Sequence, residues 1–364
     1  MIEQVYRKKA EVIDIVGRKA VKNFGDLEAE YKALREGAMI YDCSNYGIYA
    51  VGGASADSFL EQLATKDIQY LNIGNICECY FLNEEAELVG SVFILRREVD
   101  FLIITPWEHA LAVKDWLEAK SEKLGQVTIT EICGDKALLS IEGPKAWIAI
   151  KNIFDIEIET VALRYSIDTQ YENEMITILR IGRSSEYGYM ILGSTEVSKS
   201  IYNNFFNKCQ GFLVEEGGLD CLELSMLEVH QPNFIKETKE YGNILELSQQ
   251  WYIQYDKEGY IGRERLMEIA DEEIEKLAVG FIGEENEEVF VAGSNVIIEG
   301  ECIGKVVYSL CSLKLNRPMG IAVLNNPYGQ SGLDFEVETL NGVKKIHTIS
   351  SPFVRPLSWD IKME

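Results

Sequence analysis

Short runs of alternating hydrophobic and polar residues recur along this chain and predict strands, while apolar residues three and four apart predict the helices between them. The stretch 177–192 shows the strand pattern most clearly, with Ile178 and Ile181 before a polar turn and Tyr189 and Leu192 after it. The turn is rich in glycine and serine and carries an arginine and a glutamate. The stretch therefore predicts a hairpin whose tip is suited to line a pocket, with an ordinary solvated hairpin as the alternative.

The same patterns divide the chain into a mixed α+β region and a β-rich tail. Residues 1–36 are predicted to be mostly helical, and a hairpin is expected around the charged turn 96–98. Further helices are predicted over 54–67, 107–123, 196–209 and 221–231, with one more beginning at Gly143–Pro144 and a charged helical connector at 260–277. We therefore expect two intertwined α+β domains over 1–270 and a small β-barrel or sandwich over 276–364.

Composition describes an ordinary water-soluble chain of several domains. It has 364 residues, of which 47% are hydrophobic and 26% charged. Its beginning is charged rather than apolar, and no apolar run approaches the roughly 20 residues that span a bilayer, so we expect no signal peptide and no membrane contact. The formal net charge of −24 disfavours nucleic acid, whose binding needs clustered lysine and arginine, and it repels acidic protein partners.

Cysteine and histidine usage gives no sign of a metal centre or a disulfide framework. The eight cysteines include no C-x-x-C pair, so we expect reduced, buried thiols and a cytoplasmic protein. Cys77 and Cys79 lie in one predicted strand, and we expect them to alternate faces, so that at most one of them faces a pocket. His109, His230 and His347 are far apart in the sequence, and no metal site is predicted.

Six motifs in this order resemble the glycine cleavage T-protein family, the folate-dependent aminomethyltransferases and their demethylase relatives. They are REGAMIYDCSNYG, ATKDI, ALLSIEGPKA, GRSSEYGYMI, EGYIGRERL and NRPMGIAVL. The resemblance runs from about residue 30 onward. It implies an α+β fold, the three-domain cloverleaf of the T-protein type around a folate-sized hole, with the β-rich tail as the small C-terminal barrel.

The resemblance also implies a set of residues that line the substrate or folate pocket: Glu78, Thr105, Arg183, Glu186, Met190, Glu228 and Trp251. Glu186 and Glu228 match the family, whereas Arg183 and Glu78 each stand for a tyrosine. Met190 replaces the glutamate that holds the pterin, and a thioether is only a weak hydrogen-bond acceptor.

A second departure lies in the segment 84–91, EEAELVGS, which contains no aspartate. Gly90 and Ser91 stand where the family carries two aspartates, one of which orients the reacting nitrogen of folate. A hydroxyl cannot replace a carboxylate as a strong base or charge stabiliser. Each buried pterin donor left unpaired costs about 1–3 kcal/mol, so three such losses amount to roughly 3–9 kcal/mol. The resemblance implies tetrahydrofolate as the cofactor, but Ser91 and Met190 count against it. No catalytic residue is assigned.

Three functional interpretations follow from the resemblance. The first is an aminomethyl or methyl transferase of one-carbon metabolism, acting on a small-molecule substrate as a free-standing demethylase. A glycine cleavage component is disfavoured because its lipoyl carrier partner is typically acidic. The second is a family member whose altered pocket binds a different small ligand, with Arg183 pairing an anion and Glu78 a cation. The third, a folate-linked iron–sulfur maintenance protein, is disfavoured because the segment 258–261, EGYI, lacks that branch's cysteine.

Overall fold

The computed structural model describes residues 2–15, 17–132, 134, 136–237, 241 and 243–364. The chain forms two compact units. The first comprises Met1–Leu222, Tyr252–Arg263 and Pro356–Glu364, and the second comprises Glu223–Trp251 and Glu264–Arg355. The predicted boundary near residue 275 stays a prediction.

The first unit contains two mainly antiparallel sheets and a separate hairpin. The hairpin pairs β1 (Glu11–Ile15) with β2 (Arg18–Asn23). The larger sheet has the strand order β10-β11-β12-β9-β3-β13, and the smaller has the order β5-β6-β7-β4-β8. Their bounds are β3 Ala38–Asp42, β4 Gly47–Gly52, β5 Ile76–Leu82, β6 Leu88–Arg96, β7 Asp100–Thr105, β8 Thr128–Glu131, β9 Lys136–Glu142, β10 Ser166–Tyr171, β11 Glu174–Leu179, β12 Gly188–Ser194 and β13 Val214–Glu216.

Each sheet buries one face under helices, which leaves its other face to carry polar groups. Residues such as Ile141 and Ile191 on the larger sheet share a core with α4 and α5, and Tyr49 and Ile103 on the smaller sheet share one with α2 and α3. The helices of the chain are α1 Leu27–Glu36, α2 Ala56–Leu63, α3 Ala110–Leu124, α4 Ala146–Phe154, α5 Thr195–Lys208, α6 Leu219–Glu228, α7 Phe234–Glu237 and α8 Arg263–Asp271. Short 3₁₀ turns lie at Glu3–Val5, Ile158–Thr160, Ile244–Leu247, Gln250–Tyr252 and Leu357–Trp359.

The prediction of a mostly helical segment over 1–36 is wrong for its middle part. Strands Glu11–Ile15 and Arg18–Asn23 form a hairpin, and among the described residues of this segment only Leu27–Glu36 forms an α-helix. The turn depends on Gly17, which has a φ of +76° and donates its N–H to Asp14 Oδ1 at 2.8 Å. An aspartate three residues before a glycine is a turn signal, and it outweighs the charged character that suggested a helix.

The expectation for the two strand cysteines is also corrected. Cys77 and Cys79 both lie in the core of the smaller sheet, because residues two apart on a strand share a face. The residue between them, Glu78, points to the opposite face. Neither thiol is therefore a pocket residue on the face that Glu78 occupies.

The second unit contains a closed six-stranded barrel, which confirms the barrel predicted for the tail. Its strands close in the order β14-β17-β16-β15-β18-β19 around a core that includes Phe281, Phe290 and Phe335. The bounds are β14 Lys276–Gly283, β15 Asn295–Ile298, β16 Glu301–Ser312, β17 Arg317–Asn325, β18 Asp334–Thr339 and β19 Gly342–Ile349. Among the residues described, no helix has the length and apolar character needed to cross a membrane.

Candidate functional site

The hairpin predicted from the sequence exists, and its turn is buried rather than solvated. Strands β11 and β12 pair antiparallel, with Leu179 opposite Met190, and residues 180–187 connect them. Arg183 and Ser184 in this turn are 2% and 0% exposed. Burial of polar turn residues requires internal hydrogen-bond partners, and these partners define the site.

Glu142, at the end of β9, is the acceptor around which the turn is built. Its carboxylate accepts the backbone N–H groups of Arg183, at 3.1 Å, and Ser184, at 2.8 Å. It also accepts hydroxyl hydrogen bonds from Ser184 at 2.5 Å, from Ser140 at 3.2 Å, and from Tyr41. Because the side chain of Glu142 is fully buried, this single carboxylate fixes the position of the turn on the sheet.

Met190 lies on the same sheet face as this carboxylate. It is paired across the sheet with Ser140, which is in turn paired with Tyr41, and directly opposed residues share a face. Met190 is fully buried. The structure thus brings Met190 and the turn of Arg183 together around Glu142.

The guanidinium of Arg183 is engaged inside the first unit by a second acid, Glu108. The Nη1 atom lies 3.5 Å from Glu108 Oε1, and the two side chains are only 2% and 1% exposed. The Trp107 ring lies under the guanidinium, 5.6 Å from its carbon to the ring centroid. Burial alone would lower the pKa of Arg183, but the adjacent Glu108 carboxylate and Tyr46 raise it above its ordinary value. Arg183 therefore stays charged.

The position of the missing aspartates is packed against His109. The Nδ1 atom of His109 accepts the backbone N–H of Ser91 at 3.1 Å, and Thr105 Oγ1 donates to the Ser91 carbonyl at 2.9 Å. A Cβ atom added at Gly90 would lie 2.5 Å from a methyl of Val113 and 2.9 Å from the Cβ of His109. No aspartate side chain fits at Gly90 without rearrangement of α3.

Glu186 holds a segment that follows the barrel in the sequence. It forms a 3.0 Å ion pair with Arg35, and it accepts the backbone N–H groups of Leu357 at 3.1 Å and Ser358 at 2.9 Å. The Ser358 hydroxyl donates to it at 2.6 Å. The acid of the turn thus has a structural function, because it holds residues 356–364 against the rest of the first unit.

Glu78 and Thr105 lie on the smaller sheet but on different faces. Glu78 is opposite Phe93 and forms a 2.8 Å ion pair with Arg164, whose side chain is 47% exposed. Thr105 is two residues from Ile103 on the same strand, so its side chain lies on the face of the sheet that the helices cover. Of the two predicted residues on this sheet, Glu78 is the charged one, and it is buried beside a half-exposed cation.

The remaining two predicted residues belong to the second unit. Glu228, at the end of α6, is fully buried and accepts a hydrogen bond from Ser312 at 3.3 Å. Trp251 is 55% exposed. Their assignment to a ligand pocket stays a prediction, as does that of the five residues in the first unit.

Protonation states limit what this site can do chemically. Burial, reinforced by Arg183, lowers the pKa of His109 to about 3, so its imidazole is neutral and carries its proton on Nε2. Burial raises the pKa values of Cys43 and Tyr46 well above their ordinary values. Cys43 is therefore a thiol and a poor nucleophile at neutral pH. These groups position hydrogen bonds and charge, and none of them is prepared to act as a nucleophile.

Sequence reasoning missed Glu142, Glu108 and Arg35 as members of the site. Glu142 carried a usable signal, because a charged residue inside the apolar run ALLSIE is unusual for a strand buried on both faces. Arg35 also carried a signal, because it opens the motif REGAMIYDCSNYG, whereas Glu108 lies outside every motif. Glu108 becomes a site residue only when folding brings it next to Arg183.

The fold and the sequence of this chain are similar to those of known aminomethyltransferases. The crystal structure of glycine cleavage system aminomethyltransferase T from Bartonella henselae superposes with a TM-score of 0.86 at 18% identity, covering 97% of this chain and 96% of that one. An aminomethyltransferase of Thermoanaerobacter sp. (strain X514) is 23% identical, over 97% of this chain and 96% of its own. One from Clostridium botulinum (strain Loch Maree / Type A3) is also 23% identical, over 94% and 93%. The fold is therefore that of a T-type aminomethyltransferase, as the motifs predicted.

The family model described as the GCVT N-terminal domain matches residues 1–257. The chain belongs to the glycine cleavage T-protein family. The resemblance read from the six motifs and the fold class it implied are both confirmed.

Proposed function

We propose that this chain is a one-carbon transferase that removes a methyl or aminomethyl group from a small substrate and acts as a free-standing demethylase. The family match and the near full-length similarity to aminomethyltransferases support the reaction class. The observation that carries the substrate class is Glu78, a buried carboxylate whose ion-pair partner Arg164 is half exposed. A carboxylate in that setting suits a cationic methylated group such as an ammonium or sulfonium.

The net charge of −24 supports a free-standing enzyme rather than a glycine cleavage component. An acidic lipoyl carrier would be repelled by this surface, and its encounter rate would fall. A small cationic substrate would be attracted by the same field.

Tetrahydrofolate is the one-carbon acceptor that the family implies, and the described residues do not fit it in the family's manner. Met190 offers a buried thioether where a carboxylate would receive the pterin donors, and Ser91 is engaged by His109 and Thr105 through its backbone. The packing at Gly90 also excludes the missing aspartate. Contacts other than these would have to hold folate in this chain.

Calorimetric titration with tetrahydrofolate, followed by mass spectrometry, tests the proposal. A mixture of the protein, tetrahydrofolate and a trimethylammonium or dimethylsulfonium compound should yield methyl-tetrahydrofolate and the demethylated compound. Glu78→Gln should weaken substrate binding about tenfold, whereas Glu215→Gln, on a surface pair with Lys8, serves as the control. Absence of both folate binding and methylated product would refute the transferase assignment.

A second candidate function is a family member that binds a different small ligand. The thioether of Met190 and the packing at Gly90 favour it, because neither suits folate. The expected pairing of Arg183 with an anionic ligand is not part of it, since Glu108 already pairs with that guanidinium. In this case the same titration shows no folate binding, and a cationic methylated ligand binds in a Glu78-dependent way without losing its methyl group.

A further inference from the structure

One face of the barrel in the second unit exposes aliphatic side chains around a groove. The groove has a volume of about 700 Å³ and lies between the loop 286–291 and the turn 338–341. Three lining residues are strongly exposed: Val289 at 46%, Val291 at 68% and Leu340 at 101%. Grouped exposed aliphatic residues of this kind mark interaction surfaces more often than scattered ones do.

Local structure holds these aliphatic residues outward. Phe290 is 4% exposed and packs edge-on against Phe281 in the barrel core, with ring centroids 5.5 Å apart. Because Phe290 points inward, its neighbours Val289 and Val291 are directed away from the core. The turn that presents Leu340 is closed by a 2.6 Å hydrogen bond from Thr339 Oγ1 to the Gly342 carbonyl. The groove is therefore built on anchored backbone.

The charged residues of the groove make it acidic. Its lining contains three carboxylates, Glu287, Glu288 and Glu338, and one ammonium, Lys344, so three negative charges less one positive charge leave −2. Lys344 is already paired with Glu287 at 3.0 Å. The groove thus combines an apolar centre with carboxylates on its margin.

We propose that this groove docks a basic protein segment that inserts an aliphatic or aromatic side chain between lysines or arginines. Removing these aliphatic side chains from water would favour binding, and the carboxylates would pair with the flanking cations. Anionic partners are disfavoured by the same carboxylates. A second copy of this chain is disfavoured because a twofold contact would place identical acidic margins opposite each other. This inference does not depend on the proposed transferase function.

The test uses the full chain with methyl-labelled valine and leucine and two synthetic decapeptides. One peptide has leucines between lysines, and the other has serines in place of the leucines. The leucine peptide should shift the methyl resonances of Val289, Val291 and Leu340, and it should bind at least tenfold more tightly than the serine peptide. Shifts spread over the whole acidic surface, or equal binding of both peptides, would overturn the proposal.

Two variants separate docking from general attraction to an acidic protein. V291S/L340S should weaken binding of the leucine peptide about tenfold, whereas V99S/L163S, which changes a matched pair exposed at 87% and 70%, should leave it unchanged. E287Q/E288Q should weaken binding and flatten its salt dependence. Sedimentation of the peptide-free protein measures its oligomeric state and completes the test. A wild-type dimer that becomes monomeric in V291S/L340S would assign the groove to self-association and refute the proposal.

Discussion

Glu142 determines whether the buried turn can form, because five donors converge on its two oxygens. In Glu142→Gln an amide N–H₂ replaces one acceptor and confronts backbone N–H groups that cannot turn away. Hydrogen bonds to a charged group contribute about 1.5–3 kcal/mol each, so we expect a loss of at least that size. Urea unfolding measures it.

The matched control is Glu131→Gln, since Glu131 makes partly exposed ion pairs with Arg18 and Lys114. Pairs of that kind contribute about 0–1 kcal/mol. Equal losses in Glu142→Gln and Glu131→Gln would contradict the organising role of Glu142.

The pair of Arg183 and Glu108 should behave as one unit. Arg183→Met leaves a carboxylate buried without its cation, which costs about 3–5 kcal/mol in comparable sites. The double variant R183M/E108L removes both charges and should recover much of that loss. A double-mutant cycle on the free energy of unfolding measures the coupling, and additive losses would show that the two side chains act independently.

At the level of single residues, sequence reasoning found positions better than partners. Arg183 and Met190 were recognised as departures from the family because they lie inside a motif. The resemblance could not show that Arg183 forms an ion pair with Glu108, since Glu108 lies 75 positions earlier in the chain and outside every quoted motif. Partners of buried charges are set by the tertiary fold, which a local pattern does not contain.

Among the elements, the contact of β6 with α3 explains why Gly90 cannot carry a side chain. Gly90→Ala would drive a methyl group into Val113 and His109, and overpacking of this kind costs about 1–3 kcal/mol. Gly211→Ala is the control, because no heavy atom lies within 4 Å of its Cβ position. Thermal unfolding should show a clear decrease in Tm for Gly90→Ala and none for Gly211→Ala. An unchanged Tm in Gly90→Ala would mean that α3 shifts to accommodate the methyl group at little cost in free energy.

Helix α7 contains an acid that should make the second unit sensitive to pH. Glu237 is fully buried, accepts the Asn233 N–H at 2.7 Å and lies 3.4 Å from the Tyr308 hydroxyl. Lys236, over the Tyr308 ring, is paired with Glu223 instead. Burial raises the pKa of Glu237 from 4.5 to about 7, against the smaller opposing effects of those hydrogen bonds.

Because the folded state then holds a proton that the unfolded state releases, the contribution of Glu237 to stability is present at low pH and declines as pH rises from about 4.5 to 7. In Glu237→Gln this decline should be absent. Unfolding free energies of wild type and variant at pH 5, 6, 7 and 8 measure the difference. A difference that stays constant with pH would contradict the raised pKa.

Element prediction succeeded where periodicity ran long and failed where a turn interrupted it. The alternation in 177–192 and in the tail gave the β11–β12 hairpin and the barrel strands. The segment 11–23 was assigned to a helix because its charges masked a two-strand pattern around Gly17. The hairpin pairs a five-residue strand with a six-residue strand. Strands of this length are too short to show a reliable alternation of hydrophobic and polar residues.

For the whole molecule, the charge of −24 should make stability depend on salt. Like charges on a compact surface repel one another, and added ions screen that repulsion. The Tm should rise when sodium chloride is increased from about 20 to about 500 mM. Potassium glutamate at the same ionic strength controls for specific chloride effects, and a Tm that falls with both salts would mean that attractive ion pairs outweigh the repulsion.

The overall architecture was predictable because six motifs lie in the right order along the chain, and order carries information that no single motif does. The function was less predictable for a physical reason. Family membership is set by many packing residues, whereas ligand choice depends on a few positions such as Glu78, Met190 and Ser91, and these are where the chain departs from its family.

The anchorage of residues 356–364 on Glu186 has a consequence for synthesis on the ribosome. The first 222 residues emerge long before that segment does, with the barrel sequence between them. Until the segment is made, the Glu186 carboxylate lacks the Leu357 and Ser358 donors that later enclose it. The nascent first unit must therefore persist in an incomplete form while the ribosome adds residues 223–355, and its final closure is necessarily a late event.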